Sequence, residues 1–168
     1  MNSGLNKSSL EIGPQHSPLL LSDEYANYIE RAVATARTAG FEHGYPIIDL
    51  SGQSPGLLYA LGAKSIGQPW ILGDYPGSLL FAKAGLSHFT CKDIANAWVV
   101  FEQDGPRSIP TELMASVGAD FPSSYKQVGS WQTAAGAGGY DAIRHQSLYM
   151  PKAPSETLTA CKILRDNH

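Results

Sequence analysis

Residues 45–63 read YPIIDLSGQSPGLLYALGA. The run around Ile47 and Ile48 is short, apolar and not plainly alternating, as expected of a strand covered on both faces. Pro46, which has no N–H to donate to a ladder, must lie at its start. Asp49 closes the run, and small polar residues lead on to Ser54, Pro55 and Gly56. Serine before proline is a helix-start signal, with Ser54 as N-cap and Pro55 at the first helical position. Gly62 suits the end of that helix. Strand, tight turn and helix in immediate succession are half of an α/β unit, and this decides the fold class.

Upstream lies SDEYANYIERAVATARTAG, residues 22–40. Ser22 is a good N-cap, Asp23 and Glu24 suit the positive end of the helix dipole, and Gly40 suits the residue after its end. Tyr25, Ile29, Ala32, Val33 and Ala36 recur at helical spacing and are expected to form its buried face. Downstream, PWILG (69–73) is a strand or extended link. DYPGSLLFAKAGLS (74–87) reads as loop into helix, with Leu79, Leu80 and Ala84 facing inward. TCKD (90–93) reads as a capping box. AWVVFE (97–102) is the best strand by composition, and IPTELMASVG (109–118) the next helix. YKQVGSW (125–131) and QSLYMP (146–151) are strand candidates. AAGAGG (134–139), small and aperiodic, is expected to be a mobile loop that builds no core.

The alternation implies an α/β fold: a small mixed or mostly parallel sheet with helices on both faces, three-layer and Rossmann-like. Residues 1–21 are expected to be an extended N-terminal segment, 22–151 a single domain and 152–168 a tail with one or two helical turns. The 168 residues are enough for one domain with a real core.

Only 16% of residues are charged, and 12 basic against 15 acidic residues give a net charge of -3. With no basic run or stripe, nucleic-acid binding is not expected. No stretch approaches the ~20 apolar residues of a membrane span. The opening MNSGLNKSSLEIG lacks a basic region followed by an apolar core, so no signal peptide is expected. The chain as given is expected to be soluble. Zinc spacings, HExxH and phosphate-loop motifs are absent, and no cofactor or metal is expected. Cys91 and Cys161, 70 residues apart, are compatible both with one disulfide and with two separate buried thiols.

The passages YPIIDLSGQSPGLLYALGA, QPWILGDYPGS, AWVVFE and QSLYMP together resemble one family. They are similar to the water-facing C-terminal region of bacterial multi-span membrane proteins of the glycosyltransferase type, over residues 22–151. The shared pattern is a strand–DLSG–SPG–helix passage, then W-x-x-G-x-Y-P-G, then a late strand ending in Y-x-P. The resemblance implies a non-catalytic extramembrane or interaction domain beside a membrane-embedded remainder of the same protein. It also implies a saccharide or lipid-phosphate ligand. The family's catalytic acids lie near its membrane-spanning part, so no catalytic residue carries over.

Ligands of open α/β sheets sit beyond the carboxyl ends of the strands. That places Asp49, Ser51, Gly52, Gln53, Ser54 and Gly56 at a candidate site, with backbone N–H groups of the helix start as an anion pocket. Asp74 follows the next extended stretch, PWILG, and is expected to face the same crevice, with Trp70 and Tyr75 flanking it. The plainer reading is structural: Ser54 caps the helix, Asp49 accepts turn N–H groups, Gly52 supplies an unusual dihedral and Gly56 allows close packing. An alternative activity is a small hydrolase or transferase using Ser54 or an Asp49/Asp74 pair. G52-Q53-S54-P55-G56 does match G-x-S-x-G, but Pro55 removes the N–H that an oxyanion hole needs.

Overall fold

A computed structural model describes residues 6–68 and 72–167. Trp70 and most of the 69–73 stretch therefore lie outside the described residues. The chain opens on a hairpin, β1 (Ser8–Ile12) with β2 (Ser17–Leu21), paired antiparallel. Helix α1 (Asp23–Thr38) follows, then β3 (Pro46–Asp49), α2 (Pro55–Leu61) and a short β4 (Lys64–Ser65). Next come α3 (Ser78–Ser87), α4 (Cys91–Asn96), β5 (Trp98–Glu102) and α5 (Glu112–Ala115). Strand β6 (Tyr125–Gln132), a single 3-10 turn at Ala137–Gly139, β7 (His145–Pro151) and α6 (Pro154–Asp166) complete it.

The main sheet has the order β4-β3-β5-β7-β6. Strand β3 runs parallel to β4 and β5, whereas β7 is antiparallel to both β5 and β6. The sheet is thus mixed, not mostly parallel. The reason is local: β6 and β7 are joined by a loop, and only strands joined through helices return in parallel.

Ile47 and Ile48, adjacent in β3, enter different cores. Ile47 packs with Ile29, Leu57, Leu61, Trp98 and Trp131, the α1 and α2 side. Ile48 packs with Val99, Leu86, Ile94 and Leu113, the side of α3, α4 and α5. Each fully buried aliphatic side chain contributes about 1.5–3 kcal/mol. Two neighbours buried on opposite faces therefore require cover on both. No described helix is long and apolar enough to cross a membrane.

The caps of α1 and α4 are as expected: Ser22 accepts from Tyr25 N, and Thr90 Oγ1 from Asp93 N. Four expectations need correction. The N-terminal segment is not merely extended, because cross-strand pairing with no local signature folds it into the β1–β2 hairpin. The C-terminal tail is a 13-residue helix, started by Pro154 and buried at Thr157 and Cys161. The inner face of α3 is Ala82, Gly85 and Leu86; of the expected residues Leu79 packs against that core, whereas Ala84 is exposed and Leu80 is 72% exposed. SLLFAKAGLS is apolar nearly all round, so spacing alone did not set its rotation. Finally, AAGAGG does build core: Ala134 and Ala137 are buried against Trp131 and Leu148. Small side chains let that backbone approach the sheet closely.

Cys91 and Cys161 are bonded, with Cα atoms 5.7 Å apart. This resolves the alternative left open by the sequence and ties α6 to the start of α4.

Candidate functional site

The carboxyl ends of β3 and β5 meet the first residue pairs of β7. Register places Glu102 opposite Gln146, and Gln146 opposite Trp131. Cross-strand partners point to the same face, so these side chains form one row beneath α1 and α2.

Gln146 is the hub. Its Oε1 accepts from Tyr28 Oη and Trp131 Nε1, both at 2.9 Å. Its Nε2 donates to Ser54 Oγ at 2.9 Å and Glu102 Oε2 at 2.8 Å. All four hydrogen-bonding positions of the amide are used, which fixes its orientation. Glu102 is fully buried; its Oε1 accepts from Arg144 Nε at 2.7 Å, and Gln53 Nε2 lies at 3.5 Å. Arg144 also donates to the carbonyls of Ala137 and Ala142 at 2.9 and 3.0 Å, so one guanidinium ties the 134–143 loop to the sheet.

The IIDLSGQSPG turn closes on the other side of Gln146. Asp49 Oδ1 accepts from Ser51 N at 2.9 Å and Ser51 Oγ at 2.6 Å. Its Oδ2 accepts from Ser54 N at 2.9 Å. The Ser51 and Ser54 hydroxyls are 2.7 Å apart. The only Ser51 hydroxyl proton goes to Asp49, so Ser54 donates to Ser51. The relay has one direction: Gln146 to Ser54 to Ser51 to Asp49.

This geometry bears out the structural reading of Asp49 and of Gly52, whose φ is 75°. Gly56 also fits, since a Cβ there would lie 3.3 Å from Tyr25 Oη. It corrects Ser54, which makes no side-chain cap. The Oγ expected at the helix N–H groups is held inward by Gln146 and Ser51, and Ser54 is only 6% exposed. It also alters the anion pocket: the Asp49 carboxylate itself takes the Ser54 N–H at the helix start.

Burial raises the Asp49 carboxyl above the usual 3.8, opposed by the hydrogen bonds from Ser51 and Ser54. A raised folded value means that the folded state holds the proton more tightly than the unfolded chain. Ionisation then costs stability, which is greatest below 3.8 and falls as pH climbs through the folded value. Relative to Asp49→Asn, the parent protein is therefore expected to lose stability as pH rises above the ordinary carboxyl value of 3.8. Urea denaturation of both at a series of rising pH values checks it. A parent that gains on the variant with rising pH would overturn this account of Asp49.

The alternative activity would use an imidazole beside Ser54 or a site shared by Asp49 and Asp74. The side-chain partners of Ser54 are Ser51 and Gln146, with no imidazole among them. Asp49 uses both oxygens on its own turn, while Asp74 has an 83% exposed side chain 3.8 Å from Arg107 Nη1. Among the described residues no group of three or more His, Cys, Asp or Glu is placed to hold a metal ion.

Above the buried row is an exposed rim. The Arg107 guanidinium lies 4.4 Å from the Tyr75 ring centre, and Arg107 Nε donates to Tyr140 Oη at 2.8 Å. The Tyr140 ring stands 5.3 Å from the Arg144 guanidinium, which joins rim to interior. Gly73 allows this convergence: its N–H donates to Arg107 O at 2.9 Å, and a Cβ there would collide with Ser108 O. Asp74 adopts φ 63°, a left-handed conformation uncommon outside glycine. Asp74 and Tyr75, expected at the crevice, are at this rim. Tyr28, Glu102, Arg107, Arg144 and Gln146 were not among the expected site residues. The one local hint was an acid, Glu102, ending the most apolar strand.

No protein-family model, curated protein or solved structure matches this chain.

Proposed function

We propose that the chain is a non-catalytic interaction domain, the extramembrane part of a bacterial glycosyltransferase-like protein. On this reading it contacts a saccharide or phosphate-bearing ligand at the Asp74–Tyr75–Arg107–Tyr140 rim. The observation that carries it is the exposed Tyr75 ring with Arg107 held against it. A ring face offers an apolar surface to a sugar, and a fixed guanidinium offers donors to hydroxyl or phosphate oxygens. The contact moves outward from the 49–57 turn because Ser51, Ser54 and Asp49 already satisfy one another there. Gln53 remains half-exposed between turn and rim.

A three-layer, Rossmann-like reading of the architecture belongs to the same proposal. The two cores on opposite faces of the sheet support it, and the antiparallel β6 and β7 are its departure. The Cys91–Cys161 disulfide is consistent with an oxidising compartment and so with an extramembrane site.

NMR titration with a sugar phosphate and a neutral disaccharide tests the reading. Saturable shifts are expected at 74–77, 105–108 and Tyr140, and are lost in Tyr75→Ala and Arg107→Met. Ser54→Ala is expected to keep those shifts while losing about 1–3 kcal/mol of stability, the range for a buried hydrogen-bonding group left unpaired. Shifts confined elsewhere, or rim variants that bind unchanged, would sink the rim. Hydrolysis of the sugar phosphate that disappears in a folded Ser54→Ala would favour the hydrolase instead.

A further inference from the structure

A cleft unrelated to the rim lies beside the second core, which holds Val117 and Cys161. It has a volume of about 530 Å³ and lies between α3, the turn after α5, and α6. Val117, Leu164 and the buried Cys161 form its apolar wall, and Ser87 lines its edge. Its charged lining residues are both cations, Lys83 and Arg165, with no acid among them. In a chain of net charge -3, two cations over one apolar cleft are a local reversal of sign.

The cleft is also built rigidly. The disulfide fixes Cys161 from behind. Gly118, with φ 85°, runs so close that a Cβ there would come within 2.5 Å of Cys161 N. Arg165 is anchored by one bond, Nη2 to Phe89 O at 2.6 Å. That uses one guanidinium hydrogen and leaves a two-donor edge, the arrangement that matches the two oxygens of a carboxylate. Lys83, half-buried on α3, makes no ion pair among the described residues.

We propose that this cleft binds a small amphiphile with one carboxylate head and one apolar chain or ring. The apolar part lies along Val117 and Leu164, and the carboxylate between Arg165 and Lys83. The volume is within the range of small-molecule sites, and few convergent polar groups over an apolar wall are their usual make-up.

Calorimetric titration of the oxidised full chain tests this, with decanoate and decyl phosphate below their micelle concentrations and decanol below its solubility limit. Decanoate is expected to bind saturably at one site, and decanol about tenfold or more weakly, since a charge-assisted contact of about 1.5–3 kcal/mol is lost. Lys83→Met and Arg165→Met are each expected to weaken decanoate by about tenfold and leave decanol unchanged. Val117→Trp is expected to block both. If that variant misfolds, Lys83→Met, altering a partly exposed side chain, still decides. Equal binding of decanol and decanoate, indifference of the charge variants, or no saturable binding overturns the proposal. Much tighter binding of decyl phosphate overturns the carboxylate assignment.

Discussion

Arg144→Met is expected to cost about 3–5 kcal/mol of folding free energy, the usual result of leaving a buried charge without its partner. Glu102 is fully enclosed, and its short ionic contact is to Arg144 at 2.7 Å. After the substitution Glu102 Oε1 keeps only the 3.5 Å approach of Gln53. Against the about 5–15 kcal/mol of a typical domain, this is a large fraction. Glu102→Gln in the Arg144→Met background is expected to recover much of the loss, because the buried charge is gone while an acceptor for Gln146 remains. Urea denaturation of the singles and the double forms the cycle. A single-variant loss below about 1 kcal/mol, the range of solvated pairs, would mean that Arg144 is not a buried partner. Hydrogen exchange supplies a second readout: amides at 134–143 should open faster in Arg144→Met, since the guanidinium also holds the Ala137 and Ala142 carbonyls.

The second large effect concerns the disulfide. Cys91→Ala with Cys161→Ala is expected to cost about 4 kcal/mol, the chain-entropy value for a loop of this size. The bond closes a separation of 70 residues, so its absence frees a large part of the unfolded chain. The loss should be matched by reducing the parent protein with dithiothreitol, and should be absent when reductant is added to the double variant. Exchange should rise most along α6, which is joined to α4 by this bond. Equal urea midpoints for oxidised and reduced parent would overturn the account.

Much of the framework was legible because its causes are local. Ser22, Asp23 and Glu24 before a periodic apolar face produce α1 without help from distant residues. Ser54–Pro55 and Gly62 delimit α2, and Thr90 with Asp93 starts α4, for the same reason. The two faces of β3 were legible because IIDL carries apolar side chains in both directions. Where the causes are distant, the sequence was silent or misleading. SPLLL at 17–21 has no strand pattern of its own and becomes β2 only by pairing with β1. AAGAGG looked empty until the sheet and Arg144 supplied its contacts.

The candidate site divides along the same line. That Asp49, Ser51, Gly52 and Ser54 form one tight turn at a strand end is a property of adjacent residues, and the sequence by itself determined it. What Ser54 does was decided only by tertiary structure. Its place before Pro55 suggested a cap, but its hydroxyl accepts instead from Gln146, 92 residues away. Glu102, Gln146 and Trp131 face one another because β7 returns antiparallel between β5 and β6, and no spacing within the chain encodes that register. Local steric and capping preferences act over a few residues and can be read in order. Burial of a charge and the partner that makes it tolerable exist only after the strands have met.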